Sequence, residues 1–545
     1  MPLVEPLEPR RLFSTIVPAD TTHLTSAEVS TILAQAASQA APTQAVVVVD
    51  REGVVLGIFA LAGAVGEAIG AAAARAKTAA FFESSQDAFT TRTARFIIQD
   101  HFPQPVQNTP GGPLYGVQFS SLPGSDVIKP TPQSLNISGE PGGVPLFKGG
   151  LPVGGVGVAG DMSDVAARAD LVGPPFQIPG ANPAGVFYKG PSEERDYDEA
   201  VALAGAQGFM APPRIRANRI FIDGLRLPFT RSQAVHRNPT RTLDQIVASG
   251  AGQLRSDISL YKPTPDVVDS PPAPYPAAVF AGVPGELKNT AAPDFGLLDS
   301  NDADPVKLLA SDVATVITDA VSQALTIRAG IRKPNGVPAR VHVSVVDRDG
   351  DLLGVFRMRD GTNFSYDVSV QKARTAAFFS DDAHAFSSRA VGFVSQQYFP
   401  PGINHTVTGP LFGLQNELSL KLGDPAVQAG NPLKNGITIF PGGVPLYKGG
   451  LLVGAVGVSG DGVDQDDLIS YAGTRSFRPP PGTRSDELAK EEVIQFLVGR
   501  VNALDAIFHF DPAPGDAARR AQERLLAGFS DFRLPYVKFP RNPRR

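Results

Sequence analysis

One long pattern occurs twice. The stretch PGGVPLFKGGLPVGGVGVAGD, Pro141 to Asp161, returns as PGGVPLYKGGLLVGAVGVSGD, Pro441 to Asp461. A repeat of this length constrains the chain to two like halves. Within each copy a Gly-Gly pair, Gly149-Gly150 and Gly449-Gly450, separates two short apolar runs, the mark of a β-hairpin. The runs are rich in small residues, which let something large approach the backbone closely.

The duplication extends well upstream. VVVVDREGVVLGIF (Val46 to Phe59) and VSVVDRDGDLLGVF (Val343 to Phe356) each read as strand, Asp/Glu-Gly turn, strand. A helix is expected before the first pair, capped by Thr25 or Ser26 and carrying Val29, Ile32, Leu33 and Ala36 on one face. AAAARAKTAAFF (Ala71 to Phe82) and SVQKARTAAFF (Ser369 to Phe379) lack Pro and internal Gly and predict helices. AFTTRTARF (Ala88 to Phe96) matches AFSSRAVGF (Ala385 to Phe393), and GPLYG at Gly112 matches GPLFG at Gly409. From Asp50/Asp347 to these loops the offset is a constant 297; at the Gly-Gly hairpins it is 300. DYDEAVALAG (Asp196 to Gly205) and DQDDLISYAG (Asp464 to Gly473) close each copy as helices running from an Asp cap to a Gly stop. Helix, hairpin, helix, hairpin, helix predicts an antiparallel sheet with helices packed on it, an α/β (α+β) fold.

Five regions follow. Residues 1–22 form a leader, and 23–231 the first repeat with a Gly/Pro-rich insertion at 162–195. Residues 232–305 make a Pro-rich extended connector, 306–478 the second repeat, and 479–545 C-terminal helices and a basic tail. Ile215 to Phe229 reads as a further strand pair turned at Asp223-Gly224. An amphipathic helix is expected over Asp486 to Phe510 and an Arg-rich one near Ala517 to Leu526. The tail PYVKFPRNPRR reads as a surface or frayed end.

Zero Cys among 545 residues removes disulfides, thiolate nucleophiles, Cys-ligated metals and covalent c-type haem. A net charge of −5 gives no reason to expect nucleic acid as partner, and no run is long and apolar enough to span a membrane. No HExxH, Walker loop or GxSxG occurs. The N-terminus lacks the basic flank and apolar core of a standard secretory signal. Its LEPRRLFS, Leu7 to Ser14, resembles the LEPR-type motif of surface-associated bacterial proteins. That resemblance implies export or the cell surface; without it the cytoplasm is the expectation.

KARTAAFF, PGGVPL-x-x-GG-L-x-VGAVGVSG and DQDDLISYAG, in this order, with AKTAAFF, PGGVPLFKGG and DYDEAVALAG in the first copy, resemble the GlcG/HbpS-like family of haem-binding and haem-degrading domains. The resemblance implies two profilin-like domains arranged as an internal pseudo-dimer, with oligomers common. It further implies a non-covalent haem-binding protein for sequestration, storage or sensing. A module of the same fold for another small carboxylate, or for no ligand, and a haem-degrading enzyme stay open beside it.

Haem needs an apolar slot, cations for its propionates and, optionally, an axial ligand. The basic pairs Arg75/Lys77 and Lys372/Arg374 are the candidate anchors, set against an ordinary role as solvent-facing or interdomain charge. Residues two apart on a helix point about 200° apart, so one of each pair can face a given pocket. Arg and Lys trade places between the copies, which a bidentate guanidinium site would not tolerate. Gly142, Gly143, Gly442 and Gly443 are expected to floor the pocket. Of His101, His384 and His405, none meets a His in the other copy, and His405 is the candidate metal ligand.

Overall fold

The computed structural model of the protein describes residues 22–98, 112–114, 138–161, 195–255, 267–395, 411, 414, 431–508 and 533–538. The first half opens with α1 (Ser26–Ala37), where Thr25 and Glu28 form a reciprocal capping box. β1 (Ala45–Asp50) and β2 (Val55–Leu61) follow as the expected hairpin. The alanine-rich helix α2 (Gly66–Phe81) starts five residues before the alanine run. Next come β3 (Glu83–Ser84), β4 (Asp87–Ala88), α3 (Thr91–Ile97), β5 (Gly143–Lys148), β6 (Leu151–Ala159) and α4 (Tyr197–Gly205). β7 (Phe221–Ile222) and β8 (Leu225–Arg226) turn at Asp223-Gly224 as expected.

Residues 232–305 do more than connect. They contribute α5 (Leu243–Ala248), β9 (Gly252–Leu254), β10 (Ala277–Phe280) and β11 (Val283–Leu287). β9 pairs with β2, while β11 pairs with β13 of the second half, so this segment supplies an edge to both sheets. The second half repeats the first through α6 (Ala310–Ala324), β12 (His342–Asp347), β13 (Leu352–Met358), α7 (Ser365–Phe378) and α8 (Ser388–Val394). β14 (Gly443–Lys448), β15 (Leu451–Ser459), α9 (Val463–Gly473) and a final α10 (Lys490–Phe508) complete the order. The Arg-rich helix expected near Ala517 to Leu526 lies outside the described residues. The tail differs from expectation: Leu534 and Tyr536 are buried, and the Ser387 hydroxyl donates to the Tyr536 carbonyl.

Both sheets are antiparallel and share one strand order. The first runs β5-β6-β1-β2-β9; the second runs β14-β15-β12-β13-β11-β10. Even the irregularities repeat, with register shifts at Val48/Val49 and Val345/Val346 and at Leu146/Phe147 and Leu446/Tyr447. Alternate residues of β1 enter two cores. Val47 and Val49 meet α2, while Val46 and Val48 meet α1 and α4. Helices cover both faces of the sheet, so the Val46–Val49 run is apolar without alternation.

The glycines of the repeated hairpin answer what approaches them: the chain's own helix. A Cβ on Gly157 would sit 1.9 Å from the Ala72 carbonyl oxygen, and one on Gly457 1.9 Å from that of Ser369. Only hydrogen at these positions lets α2 and α7 lie this close to the sheet.

The two halves join through one continuous core, which places Phe364, Val368, Ile439 and Phe440 among first-half residues. Phe82 stacks on Phe364 with ring centroids 4.4 Å apart. Around them Glu52 pairs with Lys288 at 2.7 Å and Arg357 at 2.8 Å, and Arg332 donates to Ser84 Oγ and Asp360. The pseudo-dimer is heterologous: the α2 end of one half meets the α7 start of the other, and different patches face each other.

Candidate functional site

The joint forms a half-open cavity of about 600 Å³. The first half lines it with Phe82, Phe89, Ile97 and Leu114, and the second with Phe364, Val368, Ile439 and Phe440. Each wall has a local cause. Phe82 ends α2, Phe89 follows the short β3-β4 ladder, and α3, capped by Thr90, turns Ile97 inward. Phe364 and Val368 lie four apart at the start of α7, on one face.

The polar end is built by the start of α9. Gly462, Val463, Asp464 and Gln465 all line the cavity. The corresponding α4 is capped by Asp196, whose carboxylate accepts from Glu199 N–H; α9 has Gly462 in that place and no side-chain cap. Its first-turn N–H groups have no side-chain cap, and its first turn also carries Asp464 and Asp466. Lys372 and Arg389 are the cations here. Lys372 Nζ donates to Asp466 and to the Val458 carbonyl, both at 2.8 Å; Arg389 donates to Asp464 and Asp467, both at 2.7 Å. Burial pushes the Asp87 and Asp466 carboxyls up, to about 7 and about 6.

Of the eight expected binding residues, the cavity brings in Lys372 alone. Arg75 holds the matching place in the first half, donating at 2.6 Å to Asp198 and to the Val158 carbonyl. Each side chain thus ties its alanine-rich helix to the edge of a strand and to the next helix. The other column braces the turns of the first hairpins: Arg374 donates to the Gly350 carbonyl and to Asn435, and Lys77 lies beside Asp50. Burial lowers the Lys77 ammonium to about 8, partly opposed by the Asp50 charge. Gly143 and Gly443 pass against the Arg75 and Lys372 carbonyls, where a Cβ would come within 2.3 and 2.2 Å. Gly142 and Gly442 take φ of +123° and +115° just before their strands. His101 and His405 lie outside the described residues; His384 stacks on Phe496 of α10, ring centroids 4.3 Å apart.

The apolar walls were missed in the sequence, though a signal existed. Phe364, Val368, Ile439 and Phe440 stand where the first copy has Glu67, Ala71, Gly139 and Glu140. The second-half wall of the joint stands at columns where the copies disagree, and its first-half wall at columns they share.

A sequence model of the family described as "Haem degrading protein HbpS-like" matches residues 22–168 and 313–475, more than half of the chain. The chain belongs to the HbpS-like family. Each of its two halves is one copy of that family's domain. An uncharacterized 15.0 kDa protein from the dhaT-dhaS intergenic region of Citrobacter freundii is 32% identical over 134 residues, covering 25% of this chain and 73% of the relative. The corrinoid adenosyltransferase PduO of the same organism is 27% identical over 139 residues, 26% of this chain; the match spans about a third (32%) of PduO's length. Among solved structures, a PduOC:heme complex is 25% identical with a TM-score of 0.23, covering 33% of this chain and 99% of that one. Klebsiella pneumoniae ORFY is 24% identical with a TM-score of 0.22, covering 32% and 94%. The HbpS-like assignment rests on the family match alone.

Tested against haem, the lining residues fit in part. Twelve aromatic and aliphatic side chains suit the faces of a macrocycle, while at the polar end Lys372 and Arg389 are already bonded to aspartates. Among the described lining residues no His, Tyr or Met stands by as an axial donor.

Proposed function

We propose that the chain is a non-covalent haem-binding protein that holds one haem-type ligand, a flat apolar macrocycle with carboxylates, in the joint between its halves. The observation that carries this reading is the cavity of about 600 Å³ walled by Phe82, Phe89, Phe364 and Phe440, a size and lining typical of small-molecule sites. Membership of a family described by haem degradation supports the ligand class. In this reading the macrocycle lies against the aromatic lining beside the Phe82–Phe364 stack, and a propionate reaches the start of α9 near Arg389.

Haemin titration of the full chain tests it. The expected result is a shifted Soret band, abolished by Val463→Trp, which fills the polar mouth, and unchanged by Lys77→Gln, which lies outside the cavity. An unchanged haemin spectrum would overturn the reading. Loss of the band on adding reductant would point to degradation.

The donor set favours a second reading, that the cavity selects a flat carboxylate irrespective of iron. Iron-free protoporphyrin then binds as tightly as haemin. A strong preference for haemin would instead require an axial donor from the residues not described, His405 first among them.

A further inference from the structure

The face by which the first half grips the second has a twin in the second half. Phe82, Phe89, Ile97 and Leu114 correspond, at the offset of 297, to Phe379, Phe386, Val394 and Leu411. In the first half this face receives the start of α7. In the second half it receives α10: Phe379, Phe386, Val394 and Leu411 form one core with Val493, Leu497 and Leu504. The rims correspond as well. Ser84 and Ser85 engage Arg332 and Asp360 at the joint; Ser380 and Asp381, near the same place in the twin, engage Arg500, whose guanidinium donates to the Ser380 carbonyl at 2.6 Å. Phe496 stacks on His384 and packs on Phe386 with centroids 5.0 Å apart, as Phe364 stacks on Phe82.

The opposite end of the molecule is altered in a matching way. Were a third half to dock there, it would need the first half's version of Phe364, Val368 and Phe440. Those positions are Glu67, Ala71 and Glu140. Glu67 is exposed, and Glu140 lies 3.6 Å from Arg95.

We infer that α10 is a stop. A heterologous joint has no built-in end and would propagate head to tail. α10 fills the gripping face of the second half, polar residues spoil the gripped face of the first, and the series ends at two halves with one joint cavity per chain. The partner that the covered face fits is a second copy of this chain, provided that its first half carries apolar anchors. The inference rests on the joint itself and stands whether or not the cavity takes haem.

The test uses the full-length chain in two sets of substitutions. Val493→Asp with Leu497→Asp releases α10; Glu67→Phe, Ala71→Val and Glu140→Phe restore the anchors. Weight-average mass is followed by sedimentation across a concentration series. The combined variant is expected to rise to at least about twice the wild-type mass, each set alone to stay near wild type, and added Phe386→Asp to reverse the rise. Three results would overturn the inference. One is a folded combined variant that keeps the wild-type mass. Another is assembly that persists with Phe386→Asp. The third is loss of cooperative unfolding on releasing α10, which would make that helix core and not cap.

Discussion

At the scale of single residues, the shared motifs are mostly devices for close packing. Gly457 is the clearest case, because an added methyl would meet backbone and not a movable side chain. Gly457→Ala is expected to cost about 1–3 kcal/mol or more, read as a lower melting temperature; an unchanged melt would mean that α7 can lift from β15 freely. Lys372 and Asp466 make the second case. Both are buried, so removing one partner strands a charge. Lys372→Met should cost about 3–5 kcal/mol, whereas Lys372→Met with Asp466→Leu should recover most of it. Lys372→Arg should be mild, since the first half holds Arg75 against Asp198 in the same place. The Arg/Lys exchange was legible in the sequence as a site with no bidentate demand. That the partners were Asp198 and Asp466 was not, although the matched helices carry them in one column, because each pair joins segments far apart in the chain.

At the scale of elements, the hairpins and the alanine-rich helices stand where their local patterns placed them, and α4 is capped by Asp196 as expected; α9 departs, with Gly462 at its N-cap and Asp464 in its first turn. Their signals are local: Asp-Gly turns, capping residues and alanine density. The tail and the connector were less legible, because burial of Tyr536 and the pairing of β9 and β11 depend on partners far away in the chain. The β1-β2 and β12-β13 turns carry a pH consequence. Asp50 accepts from the N–H groups of Glu52 and Val54 and from the Ser270 hydroxyl; Asp347 does the same for Asp349, Asp351 and Ser300. Burial nevertheless raises the two carboxyls to about 7 and about 6, with Glu52 adding to the rise at Asp50 and Lys77 close by. Raised folded-state values mean that the native protein holds these protons more tightly than the unfolded chain. Their contribution to stability is full below the ordinary Asp range and is lost as pH rises through 6 to 7. Asp50→Asn with Asp347→Asn should flatten the fall in stability between pH 5 and 8, measured by denaturant unfolding. A fall as steep as in the parent would contradict this assignment.

At the scale of the whole molecule, duplication made two halves, and divergence between them made the joint. The fold of each half was legible because both copies keep it. The cavity was not, since its second-half wall is made of residues that only one copy has, and it exists only where the halves meet. A tandem chain with two equivalent ligand sites is therefore not what the geometry describes: the second gripping face is filled by α10. The measurement that tests this account most directly is the stoichiometry of haemin bound to the full-length chain, with Val463→Trp as the blocked control. The account predicts one haemin per chain, and none in the blocked variant. Two per chain, or saturation unaffected by Val463→Trp, would contradict it.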